Sequence, residues 1–438
     1  MASRPDSRPD PRPGPRPDRR PDPRALALDV LNGTLGPDRL PAEALFDRHP
    51  ATALLSARDR AFARLLYTTC LRHLRALDAA IAPLLERRPK ELERLDLLRL
   101  GAVQLLLLET PPHAAVMETV ALARRRAPRA AGLVNAVLRK LVGTALPAVE
   151  EVPEWLLACW RRAYGDDTAA SMARAVLRRP PLDLTCPNDP DGLAARLGGR
   201  RLGAASVRTE RHGAITEIEG YEAGTWWVQD VAAASIVPLL GDLAGRRALD
   251  LCAAPGGKTA QLVAAGAEVT AVDRDARRMA VLRGNLERLG MTARTIVADA
   301  GGLDDLGRFD VVLLDAPCTA TGTIRRHPDI LRHRRPGDMA AMLPVQARLL
   351  DAALDRLAPG GVLLYAVCSL QPEEGPEQID LLVQRCRDLE ARPIDRARLH
   401  GLPFRDAGAG RLQSLPCDLA EEGGLDGFFV ACLSRPAG

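Results

Sequence analysis

The chain has 438 residues, a length that favours two or three domains over one. Hydrophobic residues make up 47% of it and aromatic residues 3%, which is enough apolar material for sizeable cores. The 60 lysines and arginines against 56 acids leave a formal net charge of +4. This charge is too small to indicate nucleic-acid binding, so any basic surface must be local.

Residues 1–24, "MASRPDSRPDPRPGPRPDRRPDPR", form a Pro/Arg/Asp tail with almost nothing to bury, and we predict that it is disordered. Its acids argue against a transit peptide. Residues 25–143 place apolar residues at helical spacing throughout and predict an all-helical domain. The basic run from Arg124-Arg125-Arg126 to Arg139-Lys140 is either a solvated face or an RNA contact, and both interpretations stay open.

Residues 144–240 alternate helical segments with short strands such as "LDLTCPND" and "TWWVQD", which predicts a linker and a small α/β subdomain. From residue 241 to 438 the pattern is strand, glycine or acid, helix, repeated. It predicts a doubly wound, Rossmann-like α/β domain with a parallel sheet. We expect "DGFFVACL" to be a late antiparallel strand at the sheet edge.

The turn in "LDLCAAPGGKTAQL" ends like a phosphate-binding P-loop. That loop needs a glycine five positions before its last glycine, where this chain has Cys252. Pro255 also lacks an N–H group to offer a phosphate. Lysine occurs only at Lys90, Lys140 and Lys258. Lys258 is therefore either a lysine without a specific role or a residue at a position where an arginine side chain would not fit.

Acidic residues follow the next predicted strands: Asp273, Asp299 and Asp315. The carboxyl ends of parallel strands are where doubly wound folds bind ligands, and an acid there can accept hydrogen bonds from a ribose. Each acid alone could equally be a helix cap. Several acids around one glycine turn suit a cationic nucleoside without phosphates. S-adenosylmethionine is such a ligand, and we expect it as the cofactor.

The nine cysteines include no C-x-x-C pair, so neither a disulfide framework nor a metal site is indicated. No secretory signal and no spanning apolar run is present, so we expect free thiols, a cytoplasmic location and no membrane contact. Cys318 and Cys368 follow neighbouring predicted strands and can face one cavity. Each alone would normally be a packing residue. Together they suit methylation of C5 of a pyrimidine, which requires a thiolate to add to C6.

Two resemblances extend this interpretation. "ARDRAFARLLYTTCLRHLRALD", "LRLGAVQLLLLETPPHAAVMETVALAR" and "GLVNAVLRKL" resemble the all-helical, RNA-binding NusB fold. "LDLCAAPGGKTAQL", "VVLLDAPCTATGTIRRHPDI", "YAVCSLQPEEG" and "DGFFVACL" resemble the RNA cytosine-C5 methyltransferase family. With the NusB-like part in front, residues 25 to about 435 resemble the family's bacterial members that act on 16S rRNA.

The resemblance implies a class I methyltransferase domain and a role for each motif residue. The turn and the strand-end acids line the S-adenosylmethionine site, Cys368 adds to C6, Cys318 assists release of the RNA, and Asp315 steadies the base near N3. The implied cofactor residues are Cys252, Ala253, Ala254, Pro255, Gly256, Gly257, Lys258, Asp273, Asp299 and Asp315.

Several positions depart from the family pattern: Thr319 replaces a serine, Val367 a threonine, and Leu331 a lysine, with Arg332 next. The segment "LTCPND" also departs from the strand that the family usually has there. RNA contacts implied by the resemblance therefore carry over to this segment least well. Three alternatives remain: the same chemistry on tRNA, a non-catalytic RNA-binding regulator, and a nucleotide hydrolase. We expect a monomer without a bound metal.

Overall fold

The computed structural model describes residues 21–211, 213–303 and 306–437. Residues 1–20 of the predicted disordered tail lie outside this range. Residues 23 and 24 of that tail instead belong to the first helix, because Asp22 caps it by accepting a hydrogen bond from the Arg24 N–H. The front domain is helical: α1 Pro23–Leu35, α2 Ala42–Arg48, α3 Pro50–Leu54, α4 Ala57–Arg72, α5 Leu74–Ile81, α6 Leu92–Leu106, α7 Pro112–Arg126 and α8 Ala131–Leu141.

Two breaks divide helical runs that the sequence pattern left continuous. The backbone leaves helical geometry at His73, which separates α4 from α5. Pro128 follows Ala127 and ends α7, because the residue before a proline is biased away from helical geometry. The apolar faces of these helices share one core, which contains fully buried leucines such as Leu66 and Leu97.

Within the described residues, the middle segment contains three α-helices and a small antiparallel sheet. The sheet order is β2-β3-β1-β4, so the predicted mixture of short strands and helices is present. The bounds are α9 Glu154–Tyr164, α10 Asp166–Val176, β1 Leu182–Thr185, α11 Pro190–Leu197, β2 Arg200–Leu202, β3 Ser206–Thr209 and β4 Trp227–Val228.

The last part of the chain forms the predicted doubly wound domain, and the fold class is confirmed. Its helices are α12 Val231–Ala234, α13 Gly257–Ala264, α14 Ala276–Arg288, α15 Ile330–His333, α16 Pro336–Asp355 and α17 Pro376–Arg385. Its strands are β5 Arg247–Leu251, β6 Glu268–Asp273, β7 Arg294–Val297, β8 Phe309–Asp315, β9 Leu357–Val367, β10 Glu390–Ala391, β11 Arg405–Asp406, β12 Arg411–Ser414 and β13 Phe428–Ser434.

The order in the sheet is β11-β12-β13-β9-β8-β5-β6-β7, with β10 paired to β13. Strands β7, β6, β5, β8 and β9 are parallel neighbours. Strand β13 is antiparallel to β9, as predicted. Its predicted position at the edge is wrong, because β12 pairs with its other side and β11 lies beyond. β12 and β11 are too short to show strand periodicity in the sequence.

The front domain packs directly on the segment that follows β8. Arg332 in α15 donates hydrogen bonds to the carbonyls of Leu71 and Arg72, at the end of α4. It also pairs with Glu151, whose carboxylate accepts from the N–H groups of Arg75 and Ala76 at the start of α5. This contact explains one departure from the family pattern: Arg332 joins two domains and does not face the predicted cofactor turn.

A second buried charge cluster fastens the small subdomain to the same segment. Arg326 contacts Asp183 of β1 at 3.1 Å, Asp230 at 2.5 Å and Asp426 at 3.0 Å. Arg208 of β3 pairs with Asp183 at 2.7 Å. The segment between β8 and α15 is therefore held from two sides. Across the described ranges, no helix is long and apolar enough to cross a membrane.

Candidate active site

The glycine turn after β5 is closed by hydrogen bonds within the protein. The Ala253 N–H donates to the Val272 carbonyl at 3.0 Å, and the Ala254 N–H donates to the Asp273 carboxylate at 3.2 Å. Gly256 has φ of +104°, and a side chain there would meet Leu282 at 2.9 Å. Because the Ala253 and Ala254 N–H groups are engaged within the protein and Pro255 has none, the turn offers fewer donors than a phosphate-binding nest requires.

The three strand-end acids have different surroundings. Asp273 is the last residue of β6, is almost fully buried and also accepts from the Asp275 N–H at 3.0 Å. Asp315 ends β8. Asp299 lies two residues beyond β7, and its half-exposed carboxylate pairs with Arg348 at 2.5 Å. The Arg348 hydrogen bond lowers the pKa of Asp299 below its ordinary value.

Lys258 points away from the turn and into the site. Its Nζ lies 2.7 Å from the Asp315 carboxylate and 5.0 Å from the centre of the Phe428 ring. The side chain is 9% exposed, and burial opposes its charge while Asp315 favours it, so the pKa of Lys258 is raised overall. An ammonium fits this narrow position as a point charge, which supports the interpretation of Lys258 as a functional lysine.

A cavity of about 390 Å³ lies between the glycine turn and the small subdomain. This volume is within the range of small-molecule sites. Its wall includes Lys258, Asp315 and residues 253–257 of the predicted set, whereas Cys252, Asp273 and Asp299 lie outside it. The sequence analysis missed the opposite wall, which contains Tyr221, Trp227, Gln229, Asn285 and Arg288. Aromatic residues make up only 3% of the chain, so the two adjacent tryptophans in "TWWVQD" were the sequence signal that could have identified this wall.

The two predicted thiols meet. The Sγ atoms of Cys318 and Cys368 lie 3.5 Å apart, because β8 and β9 are parallel neighbours that end together. The hydrogen bond to Cys368 and burial raise the pKa of Cys318 well above its ordinary value. Two thiols this close do not both ionise readily. The pair therefore favours a neutral Cys318.

The family departures beside these thiols have structural explanations. The Thr319 hydroxyl donates to the buried carboxylate of Glu374, so it takes part in a network that a serine could also form. Val367 and Leu331 are buried in apolar cores, where a valine and a leucine pack without an unpaired hydroxyl or amine. Glu374 was not identified from the sequence, although it lies in the quoted segment "YAVCSLQPEEG".

Comparison with known proteins agrees with this geometry. Residues 239–434 match the family described as 16S rRNA methyltransferase RsmB/F, and residues 21–143 match the NusB family. "Ribosomal RNA small subunit methyltransferase B" of Xanthomonas campestris pv. campestris is 38% identical over 86% of this chain and 89% of its own length. The protein of the same name from Xylella fastidiosa is 37% identical over 87% of this chain and 93% of its own length.

The crystal structure of PH0851 has the same fold, with a TM-score of 0.74, 20% identity, and coverage of 94% of this chain and 99% of that one. The sequence matches span both the helical front domain and the catalytic sheet. The chain therefore belongs to the RsmB/F family of 16S rRNA methyltransferases and contains a NusB-family domain in front of its catalytic domain.

Proposed function

We propose that this protein transfers a methyl group from S-adenosylmethionine to C5 of a cytosine in 16S rRNA, through a covalent bond between Cys368 and C6. The observation that carries the proposal is the pair of thiols 3.5 Å apart beside the Lys258–Asp315 ion pair. A methyltransferase acting on oxygen or nitrogen needs no thiol, whereas activation of C5 requires a nucleophile at C6. The names of the relatives support rRNA as the substrate class.

The residues around the turn fit S-adenosylmethionine. The neighbouring cavity is large enough for the ligand, and Asp315 and Asp273 are carboxylates near it that suit a cation. When bound, this cofactor supplies an electrophilic methyl group. The part of this chain is to hold the target base, supply the nucleophile and remove a proton.

Cys368 is the proposed nucleophile. The hydrogen bond to Cys368 and burial raise the pKa of its neighbour Cys318, and a cationic cofactor beside the thiols would favour the thiolate form that the nucleophile needs. Attack of the Cys368 Sγ on C6 pushes electrons onto the base and makes C5 a carbanion equivalent. The target cytosine must leave its stack to reach this thiol.

Cys318 is the proposed base for release. To act as a base, Cys318 must first lose its own proton to solvent, which is easier once Cys368 is bonded to C6 and no longer competes for the negative charge. The Cys318 thiolate can then take the proton from C5, which restores the double bond and expels Cys368 as a thiolate. Asp315, held by Lys258 at 2.7 Å, lies beside the thiols and is proposed to steady the base near N3.

The cofactor assignment predicts a ligand-dependent shift in melting temperature. We expect S-adenosylmethionine at 100 times its Kd to stabilise the protein by about 2.7 kcal/mol, because it binds only the folded state. ATP at the same concentration should leave the melting temperature unchanged. Asp273→Asn should weaken cofactor binding, while Asp351→Asn, at an exposed pair with Arg385, should not. Stabilisation by ATP alone would contradict the assignment.

The basic helices predict a salt-dependent RNA contact. Arg125 pairs with Asp22 at 2.5 Å, and Arg126 pairs with Asp29 at 2.7 Å, so reversing their charge would also break contacts with the first helix and its cap. Arg139 and Lys140 are exposed, and within the described ranges they form no ion pair. If they contact RNA, changing both to Glu should lower affinity and reduce the slope of log affinity against log salt by about 2.

A matched control for that measurement is the double change of Arg385 and Arg387 to Glu. Both are exposed near the end of α17, which runs back from the carboxyl end of β9 and away from the thiols. The charge change is the same, but the RNA affinity should fall much less. If the two double variants lower RNA affinity equally, the front domain does not contact RNA through Arg139 and Lys140, and its role is limited to packing.

The RNA class is tested separately from the chemistry. Bisulfite sequencing of total RNA from a strain lacking this protein should reveal a lost methylcytosine in 16S rRNA. Loss of a methylcytosine in tRNA alone would favour the same chemistry on tRNA. No loss of methylcytosine in any RNA would favour a non-catalytic RNA-binding regulator.

A further inference from the structure

Glu374 carries a fully buried carboxylate that accepts four hydrogen bonds. One oxygen, Oε1, accepts from the Thr319 backbone N–H at 2.9 Å and from the Gln346 side-chain amide at 3.0 Å. The other, Oε2, accepts from the Ser369 hydroxyl at 2.5 Å and from the Thr319 hydroxyl. Both oxygens are therefore satisfied, as a buried carboxylate requires.

The donors share one property: they stand next to the two active-site thiols. Thr319 follows Cys318, and Ser369 follows Cys368. The Gln346 amide, which reaches from α16, also donates to the carbonyl of Pro317, the residue before Cys318. One carboxylate thus binds both cysteine-bearing loops at the point where each leaves its strand.

Other hydrogen bonds between the two loops join neutral groups, and they include those of the Thr319 and Thr321 hydroxyls with the Ser369 hydroxyl at 3.3 and 3.4 Å. The Gly322 N–H donates to the Cys368 carbonyl at 2.9 Å, and the Leu370 N–H donates to the Thr321 hydroxyl at 3.0 Å. Hydrogen bonds to an ionised carboxylate are shorter and about twice as strong as neutral ones. Loops beyond strand ends are otherwise the mobile part of such folds. Glu374 supplies the carboxylate acceptor common to both loops.

We propose that Glu374 is a positioning residue that sets the separation and direction of the Cys318 and Cys368 thiols by anchoring Thr319 and Ser369. It does not touch the reacting atoms itself. Misplacement of a reacting group by about 1 Å can lower a rate about 100-fold. The consequence for catalysis rests on the proposed function above, whereas the effect on thiol geometry does not.

The thiol geometry can be measured without RNA or cofactor. Diamide, an azo oxidant, takes two electrons and two protons from Cys318 and Cys368, becomes the hydrazine, and leaves a disulfide between them. The rate of that disulfide, followed by mass spectrometry of the linked peptides, reports how often the two sulfurs meet. Cys318→Ser provides the blank for the other cysteines.

The variants are Glu374→Gln, which keeps the shape, and Glu374→Asp, which keeps the charge but shortens the reach. We expect each to slow the Cys318–Cys368 disulfide at least about tenfold, because glutamine offers one acceptor oxygen where four donors converge on two, and aspartate is one methylene too short to reach them. The matched control is Glu373→Gln, one residue earlier, whose carboxylate faces Arg162 at 3.3 Å. It should react at the rate of the unchanged protein.

The same variants are then compared in methyl transfer to RNA. We expect Glu374→Gln to lower kcat at least about tenfold, to leave KM for S-adenosylmethionine unchanged, and to increase the fraction of RNA held covalently. Thr319→Val and Ser369→Ala, which remove one hydroxyl each, should cause smaller changes in the same direction. If both changes at Glu374 prevent folding, the disulfide rate and kcat of Thr319→Val and Ser369→Ala test the inference instead.

The outcomes are distinguishable. If Glu374→Gln matches the unchanged protein in disulfide rate and in kcat, the carboxylate only fills space and the inference is wrong. If the disulfide rate depends on Glu374 but the unchanged protein methylates no cytosine, the proposed function fails while the positioning role stands. A loss of kcat in Glu373→Gln as large as that in Glu374→Gln would also overturn the inference.

Discussion

Cys368→Ala is expected to bind RNA and cofactor yet form no methylcytosine and no covalent adduct. Cys318→Ala is expected to transfer the methyl group and then remain attached to its RNA. The reason is the division of roles between two thiols 3.5 Å apart: one must add to C6, and the other must remove the C5 proton so that the first can leave.

The measurement is a denaturing gel with labelled RNA and S-adenosylmethionine. A slow, protease-sensitive band should appear for Cys318→Ala and be absent for Cys368→Ala and for the double variant. Cys386→Ala, another thiol of the catalytic domain, serves as a control that should behave like the unchanged protein. The reverse pattern would exchange the two roles, and full activity of either variant would return that cysteine to a packing role.

Glu151→Ala is expected to lower the free energy of unfolding by about 3–5 kcal/mol, because it leaves the Arg332 guanidinium buried without its partner. The Arg332 side chain is 6% exposed and that of Glu151 is 2% exposed. Burial already lowers the pKa of Arg332, and Glu151 opposes this effect. The same change also removes the acceptor of the Arg75 and Ala76 N–H groups.

Urea unfolding, followed by circular dichroism, measures this loss. Asp351→Ala breaks the exposed pair with Arg385 and should cost at most about 1 kcal/mol. The double change of Glu151 to Leu and Arg332 to Met should recover part of the loss, since it removes both charges. A loss below about 1 kcal/mol in Glu151→Ala would show that the two domains do not depend on this contact.

This contact also changes what is expected when the front domain is removed. The sequence favoured a separate helical unit, but Arg332 stands on the segment that begins at Cys318, and its carbonyl partners Leu71 and Arg72 belong to the front domain. A chain without residues 25–143 would therefore expose Arg332 and loosen the thiol segment. Point changes at Arg139 and Lys140 test RNA binding without that side effect.

Local sequence pattern was sufficient to predict the helical front domain, the doubly wound sheet and the strand ends that meet at its edge. Helical periodicity predicted the front domain, and the strand–turn–helix repeat predicted the doubly wound sheet. The rule that parallel strands present their carboxyl ends at one edge was enough to place Asp315, Cys318 and Cys368 together. Each of these inferences uses only the residues of one element and the geometry of its fold class.

The contacts that bring these residues together as a site depend on packing between elements that are distant in the chain. Lys258 and Asp315 are 57 positions apart, and Arg332 and Glu151 are 181 apart, so no local pattern reveals either pair. Asp299 appeared equivalent to Asp273 in the sequence, yet it pairs with Arg348 on the surface. In the sequence, nothing distinguishes Glu374 from the adjacent Glu373. Its burial between the two thiol loops depends on how β8, β9 and α16 pack, because hydrogen-bond partners of a buried carboxylate are chosen by packing rather than by sequence spacing.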